Sequence, residues 1–113
     1  MGKNFVAKGH SIKIDIPAGG CSTGTPVLVG GDLLGVPENT FAASTSGIVE
    51  LHLGGVFSGL AKKAGDTFAV GDKVYWDDTN KYFTSTSSGN LWKGHCYATA
   101  ASADTTMTVR IRQ

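Results

Sequence analysis

Gly47-Ile48-Val49-Glu50-Leu51-His52-Leu53-Gly54-Gly55 decides the fold class. Val49, Leu51 and Leu53 recur at every second position with Ile48, Glu50 and His52 between them, which is the period of a strand that buries one face. The glycine pair breaks the run, and Val56-Phe57-Ser58 resumes it after an expected bulge. Toward the N-terminus, Ser11-Ile12-Lys13-Ile14-Asp15-Ile16 alternates in the same way until Pro17-Ala18-Gly19-Gly20 stops it, and a short extended piece is expected at 5–7. The apolar runs at 25–29 and 33–36 read as a hairpin, because the Gly30-Gly31-Asp32 link supplies residues that tolerate positive φ.

Toward the C-terminus, Leu60-Ala61-Lys62-Lys63-Ala64 is the one stretch that suggests a helical turn, but it is too short to hold a helix and is expected as a loop. Thr67-Phe68-Ala69-Val70 reads as a further strand before a Gly71-Asp72 corner. Lys73-Val74-Tyr75-Trp76 and Lys81-Tyr82-Phe83-Thr84 form a hairpin by composition, since Asp77-Asp78-Thr79-Asn80 between them is rich in turn residues. Strands at 91–98 and 105–112 finish the chain; in the second, Met107, Val109 and Ile111 face one way and Thr108, Arg110 and Arg112 the other. Short strands between turn signals, with no sustained helical period, predict an all-β fold: a compact antiparallel barrel or sandwich with short hairpins and extended termini.

Composition agrees. Sixteen glycines among 113 residues suit turns and bulges better than helices, and the 17% of charged residues leaves Ser, Thr, Asn and backbone to make the polar surface. The length suits one domain with one core, and no repeat or linker divides it. A formal net charge of +1 with scattered basic residues gives no footprint for nucleic acid or an anionic membrane, so neither partner is expected. The start carries no long apolar core of a secretory signal, and the chain is expected to remain inside a cell until assembly. Cys21 and Cys96 lie far apart outside any metal-clip spacing; two reduced thiols are expected, although a bridge between them stays open.

No catalytic constellation emerges. The glycine-rich 19–25 lacks the Lys that a phosphate loop needs after its last Gly, and no Gly-x-Ser-x-Gly elbow occurs. His10, His52 and His95 have no second ligand at a recognised spacing except Cys96 beside His95, and strand neighbours point to opposite faces, so no metal or cofactor is expected. Asp66, Asp72, Asp77 and Asp78 sit at corners where carboxylates cap backbone amides. Trp76, Trp92 and the neighbouring Tyr and Phe residues suggest cross-strand core pairs more than a base-stacking platform, which would need a basic groove.

Val70-Gly71-Asp72-Lys73-Val74-Tyr75-Trp76-Asp77, followed by a turn and Thr84, resembles the most recognisable stretch of the phage capsid cement family, formerly a domain of unknown function and sometimes mislabelled recombinase-like. Lys3-Asn4-Phe5-Val6 with Gly9-His10-Ser11-Ile12, Pro26-Val27-Leu28-Val29-Gly30 with Leu34-Gly35-Val36, and the final alternating strand are similar to other parts of that family, in order along nearly the whole chain. The resemblance implies a β-tulip-like head-decoration protein without catalysis, in which 1–113 is one cement domain and 1–8 a flexible arm. It implies a virion protein on the outside of an icosahedral head, from a phage or prophage, made in the bacterial host cytoplasm. The major capsid protein would be its partner and a homotrimer its assembly. Lys3, Asn4, Phe5, Val6, Phe57 and Trp92 are the candidate contacts with shell or sister subunit. Two other classes compete: a carbohydrate- or ligand-binding barrel, which would place a concave aromatic pocket around Trp76 or Trp92, and a small hydrolase, which would place a buried nucleophile beside a histidine.

Overall fold

The structure, a computed structural model, describes residues 10–113, and the elements among them are nine strands and no helix. The strands β1 (Ser11–Asp15), β2 (Val27–Val29), β3 (Leu33–Pro37) and β4 (Ile48–His52) form one antiparallel sheet in the order β1-β4-β3-β2. A second sheet takes β5 (Gly55–Ala61), β6 (Lys73–Asp77), β7 (Tyr82–Thr84), β8 (Leu91–Cys96) and β9 (Thr106–Ile111) in the order β5-β9-β8-β6-β7. Both expected hairpins form, β2 with β3 and β6 with β7. The expected piece at 5–7 lies outside the described residues.

The second sheet curls into a half-barrel. Its two edges approach through a parallel bridge between Lys62 and Phe83, and the Lys63 N–H donates to the Phe83 carbonyl at 2.9 Å. Lys62 secures this seam: its side chain is buried, and its ammonium donates to the carbonyls of Lys63 at 2.8 Å and Asp104 at 2.9 Å. A buried charge needs such acceptors, because stripping its water without replacement is costly.

Alternation fills the curl. Trp76 and Val74 from β6, Phe83 from β7, Cys96 from β8 and Met107, Val109 and Ile111 from β9 bury together with Leu34 and Val36 of β3. The Trp76 and Phe83 rings meet edge to face at 4.9 Å, a favoured aromatic geometry. Val49, Leu51 and Leu53 are also buried and, among the described residues, lie outside this cluster. The reason is that β3 packs on both faces: Leu34 and Val36 serve the large cluster, while a Cβ at the intervening Gly35 would lie 2.7 Å from that of Leu51.

Three local expectations are corrected. Leu60 and Ala61 belong to β5 rather than to a loop, because the register shift falls between Phe57 and Leu60 and returns Leu60 to the core opposite Met107. The bulge is there and not at Gly54-Gly55, which instead carries the chain from one sheet to the other, with Gly55 at φ 115°. Residues 67–70 form no strand but a single bridge, Phe68 to Ala100. The cause is Asp72, whose carboxylate takes the Ala69 N–H at 2.8 Å and turns the backbone away before a ladder can grow.

Candidate functional site

Alternation on the half-barrel puts Val74 and Trp76 inside and therefore Lys73 and Tyr75 outside. On β8 the register shifts, with Val74 opposite Gly94 but Tyr75 opposite Trp92, so Lys93 is an extra residue. This bulge lets Trp92 and His95, three apart in sequence, share the outer face. Lys93 turns inward, buried, with its ammonium 3.1 Å from Asp32. The approach of β8 to β9 is close: a Cβ at Gly94 would lie 2.7 Å from the Arg110 carbonyl oxygen.

The ladders then align side chains from distant parts of the sequence. Val56, Arg110, His95 and Lys73 are successive cross-strand partners on β5, β9, β8 and β6, forming one row across the outer face. Beside it, the Arg112 guanidinium lies 3.9 Å and the Lys73 ammonium 4.5 Å from the centre of the Trp92 ring. Such contacts contribute about 0.5–1 kcal/mol each at exposed sites. The His95 ring meets Trp92 edge to face at 5.4 Å, and the indole N–H donates to the Gly94 carbonyl at 2.9 Å, so the ring is held in one orientation. The ion pairs among the described residues are Lys81–Asp78 and Lys93–Asp32, which leaves Lys73, Arg110 and Arg112 with no carboxylate within 4.0 Å. Residues that look scattered in the sequence are thus gathered into a basic, aromatic face.

A family model described as phage cement protein matches residues 6–112. The chain belongs to the phage cement protein family. It is accordingly a structural, capsid-associated component of the virion. Searches of curated proteins and of solved structures give no significant match.

Of the contacts expected from the sequence, the cement protein places Trp92 on the basic face and Phe57 partly inside, packed on the large core with its ring 6.3 Å from that of His52. Lys3, Asn4, Phe5 and Val6 lie outside the described residues. The structure does not bring Phe57 and Trp92 together, since Phe57 pairs with inward-facing Val109.

In one cleft a carboxylate accepts hydrogen bonds from a side-chain amide and from the backbone. A cleft of about 430 Å³ is lined by Lys63, Asp77, Tyr82, Thr84 and neighbouring hydroxyls and amides. Asp77 accepts the N–H groups of Thr79 and Asn80 at 3.0 Å and the Asn80 amide at 2.9 Å; the Asn80 side chain, more than the backbone donors, holds its carboxyl below the ordinary value. Thr84 donates to Asp66 at 2.6 Å. Partial burial pushes Asp66 up, but Thr84, the Ser85 N–H and the Lys63 charge together bring it below the ordinary value. Asp78 is likewise lowered, chiefly by its hydrogen bond with Lys81 and despite some burial. Two other clefts run beside His10 and Gln113 and beside Cys21 and Pro26. Among the described residues, Trp92 lines none of these three clefts and Trp76 is 1% exposed, so neither tryptophan walls them.

Cys21 and Cys96 are free thiols. Cys96 is buried, which raises its thiol pKa, and it faces the core while adjacent His95 faces out. These two therefore make no nucleophile and base pair. One cluster was not foreseen: ligand atoms of Glu38, Glu50 and His52 lie within 4.8 Å of one another. The signal in the sequence was Glu50 and His52 on one strand face; Glu38 joins them only through the ladder, where its N–H donates to the Glu50 carbonyl at 2.9 Å.

Proposed function

We propose that this protein binds the outer surface of an icosahedral phage head as a homotrimer and stabilises the capsid lattice against internal pressure, without catalysis. It is made in the bacterial host cytoplasm and attaches to the major capsid protein. The observation that carries this is the family match over residues 6–112, which supports reading the two-sheet body as the cement unit. The geometry supports it: the chemically rich surface is an open sheet face with a fixed tryptophan and arginines, side chains that dominate macromolecular contacts, whereas in the polar cleft the Asp77 carboxylate is taken up by Thr79 and Asn80. A trimer touching several shell subunits gains avidity from modest individual contacts.

Residues 1–8 act in this proposal as an arm that engages the shell through Lys3, Asn4, Phe5 and Val6. The purified protein should co-sediment with undecorated heads and raise the temperature at which they release DNA. Deleting residues 2–8 should abolish co-sedimentation while the melting temperature of the free protein stays unchanged. Failure of the intact protein to sediment with heads of its own phage would overturn the proposal.

A further inference from the structure

Two faces of this molecule crowd like charges together, and among the described residues neither Arg110 and Arg112 nor Glu38 and Glu50 form an ion pair. On the half-barrel, Arg110, His95 and Lys73 stand directly opposite one another in a row, with Arg112 beside them on Trp92. On the four-stranded sheet, Glu38 just past β3 meets Glu50 of β4 beside His52, Asp15 lies farther along the same side of β1, and among the described residues Lys13 is the lysine opposite Glu50. Like charges placed opposite each other across strands are destabilising, so each face gains by meeting the other sign. Both also expose one large aliphatic residue at the corresponding place: Val56, 45% exposed, beside Arg110, and Ile48, 62% exposed, two residues from Glu50.

We infer that these faces meet between copies, the Glu38–Glu50 edge of one chain seating on the Trp92, Arg110 and Arg112 face of the next. The inference rests on the proposed homo-oligomer and names the surfaces that build it. The chemistry fits: guanidinium groups take carboxylates in paired hydrogen bonds, and a tryptophan already held in place loses little freedom on docking. Because the two faces differ, the contact is head to tail, and such contacts make rings when their rotation closes. A near-neutral chain of net charge +1 that separates its charges in this way is complementary to itself.

The test is solution mass by analytical ultracentrifugation, with no heads present. The wild-type chain should sediment as a closed oligomer that dissociates as salt rises. Arg110→Glu with Arg112→Glu, and separately Glu38→Lys with Glu50→Lys, should each give monomers with retained β-sheet circular dichroism, and mixing the two variants should restore a complex that neither forms alone. Glu50→Gln should weaken association less than Glu50→Lys. A wild-type monomer at every concentration from low micromolar upward, or reversed variants with unchanged mass, would overturn the inference. So would dissociation by chelator, which would assign the carboxylates to a cation, or tight capture of a single-stranded oligonucleotide by the basic face of the assembled chain. Monomers that still sediment with heads would sink this inference and leave the capsid function standing.

Discussion

The two sheets reach stability by different routes. The half-barrel curls until its edges join through Lys62 and Lys63 and buries the Trp76–Phe83 pair, whereas the four-stranded sheet stays open and, among the described residues, buries the smaller side chains of Val49, Leu51 and Leu53 on its separate face. Closure removes edges and concentrates apolar area, while an open sheet depends on whatever lies against each face. The half-barrel thus holds most of the large buried cluster, to which the four-stranded sheet contributes Leu34 and Val36.

Substitutions in the aromatic pair should separate the two most strongly. Trp76→Ala or Phe83→Ala should lower unfolding free energy by about 3–5 kcal/mol in urea titrations, against the lower part of about 2–5 kcal/mol for Leu51→Ala. Equal losses would mean that the two buried groups support the fold alike. At the seam, Lys62→Met should cost about 1–3 kcal/mol, because the Lys63 and Asp104 carbonyls lose a buried donor. A neutral result would show that the curl holds without it. Gly94→Ala and Gly35→Ala should each cost about 1–3 kcal/mol, since the new methyl at Gly94 meets the Arg110 carbonyl oxygen at 2.7 Å and that at Gly35 meets, also at 2.7 Å, the Leu51 Cβ, which is fixed to its backbone.

The smallest contrast is with pH. Asp66, Asp77 and Asp78, all bordering β6 and β7 of the half-barrel, have carboxyls below the ordinary 3.8. A carboxyl whose pKa is lowered on folding stabilises the folded state above its unfolded value, and that contribution disappears as pH falls through the folded value. The melting temperature should therefore hold steady from neutrality down to about 5 and decline below about 4. Asp77→Asn should flatten part of that decline by removing one titrating group, and an unchanged acid limb would show that these turns carry none of it.

Much of the fold was legible because one-sided burial writes itself as alternation: β1, β4 and β9 and both hairpins follow their apolar pattern. What escaped depends on partners distant in sequence. Leu60 reads as a loop residue until Met107 is opposite it, and 67–70 reads as a strand until Asp72 captures the Ala69 amide. The basic face was hidden for the same reason, since Arg110, His95 and Lys73 become neighbours only through two ladders. Trp92 was named from its residue type, but the cations over it, like Glu38 beside Glu50, are products of register.

Only Leu53 and Gly54 separate β4 from β5, and the Gln113 side chain binds across the same junction, donating to the Leu34 and Leu53 carbonyls at 2.7 Å and accepting the Leu34 N–H at 2.9 Å. The molecule therefore has no soft joint at the point where its halves meet. A load applied to one sheet passes into the other with little yielding, as tightly packed interiors transmit strain.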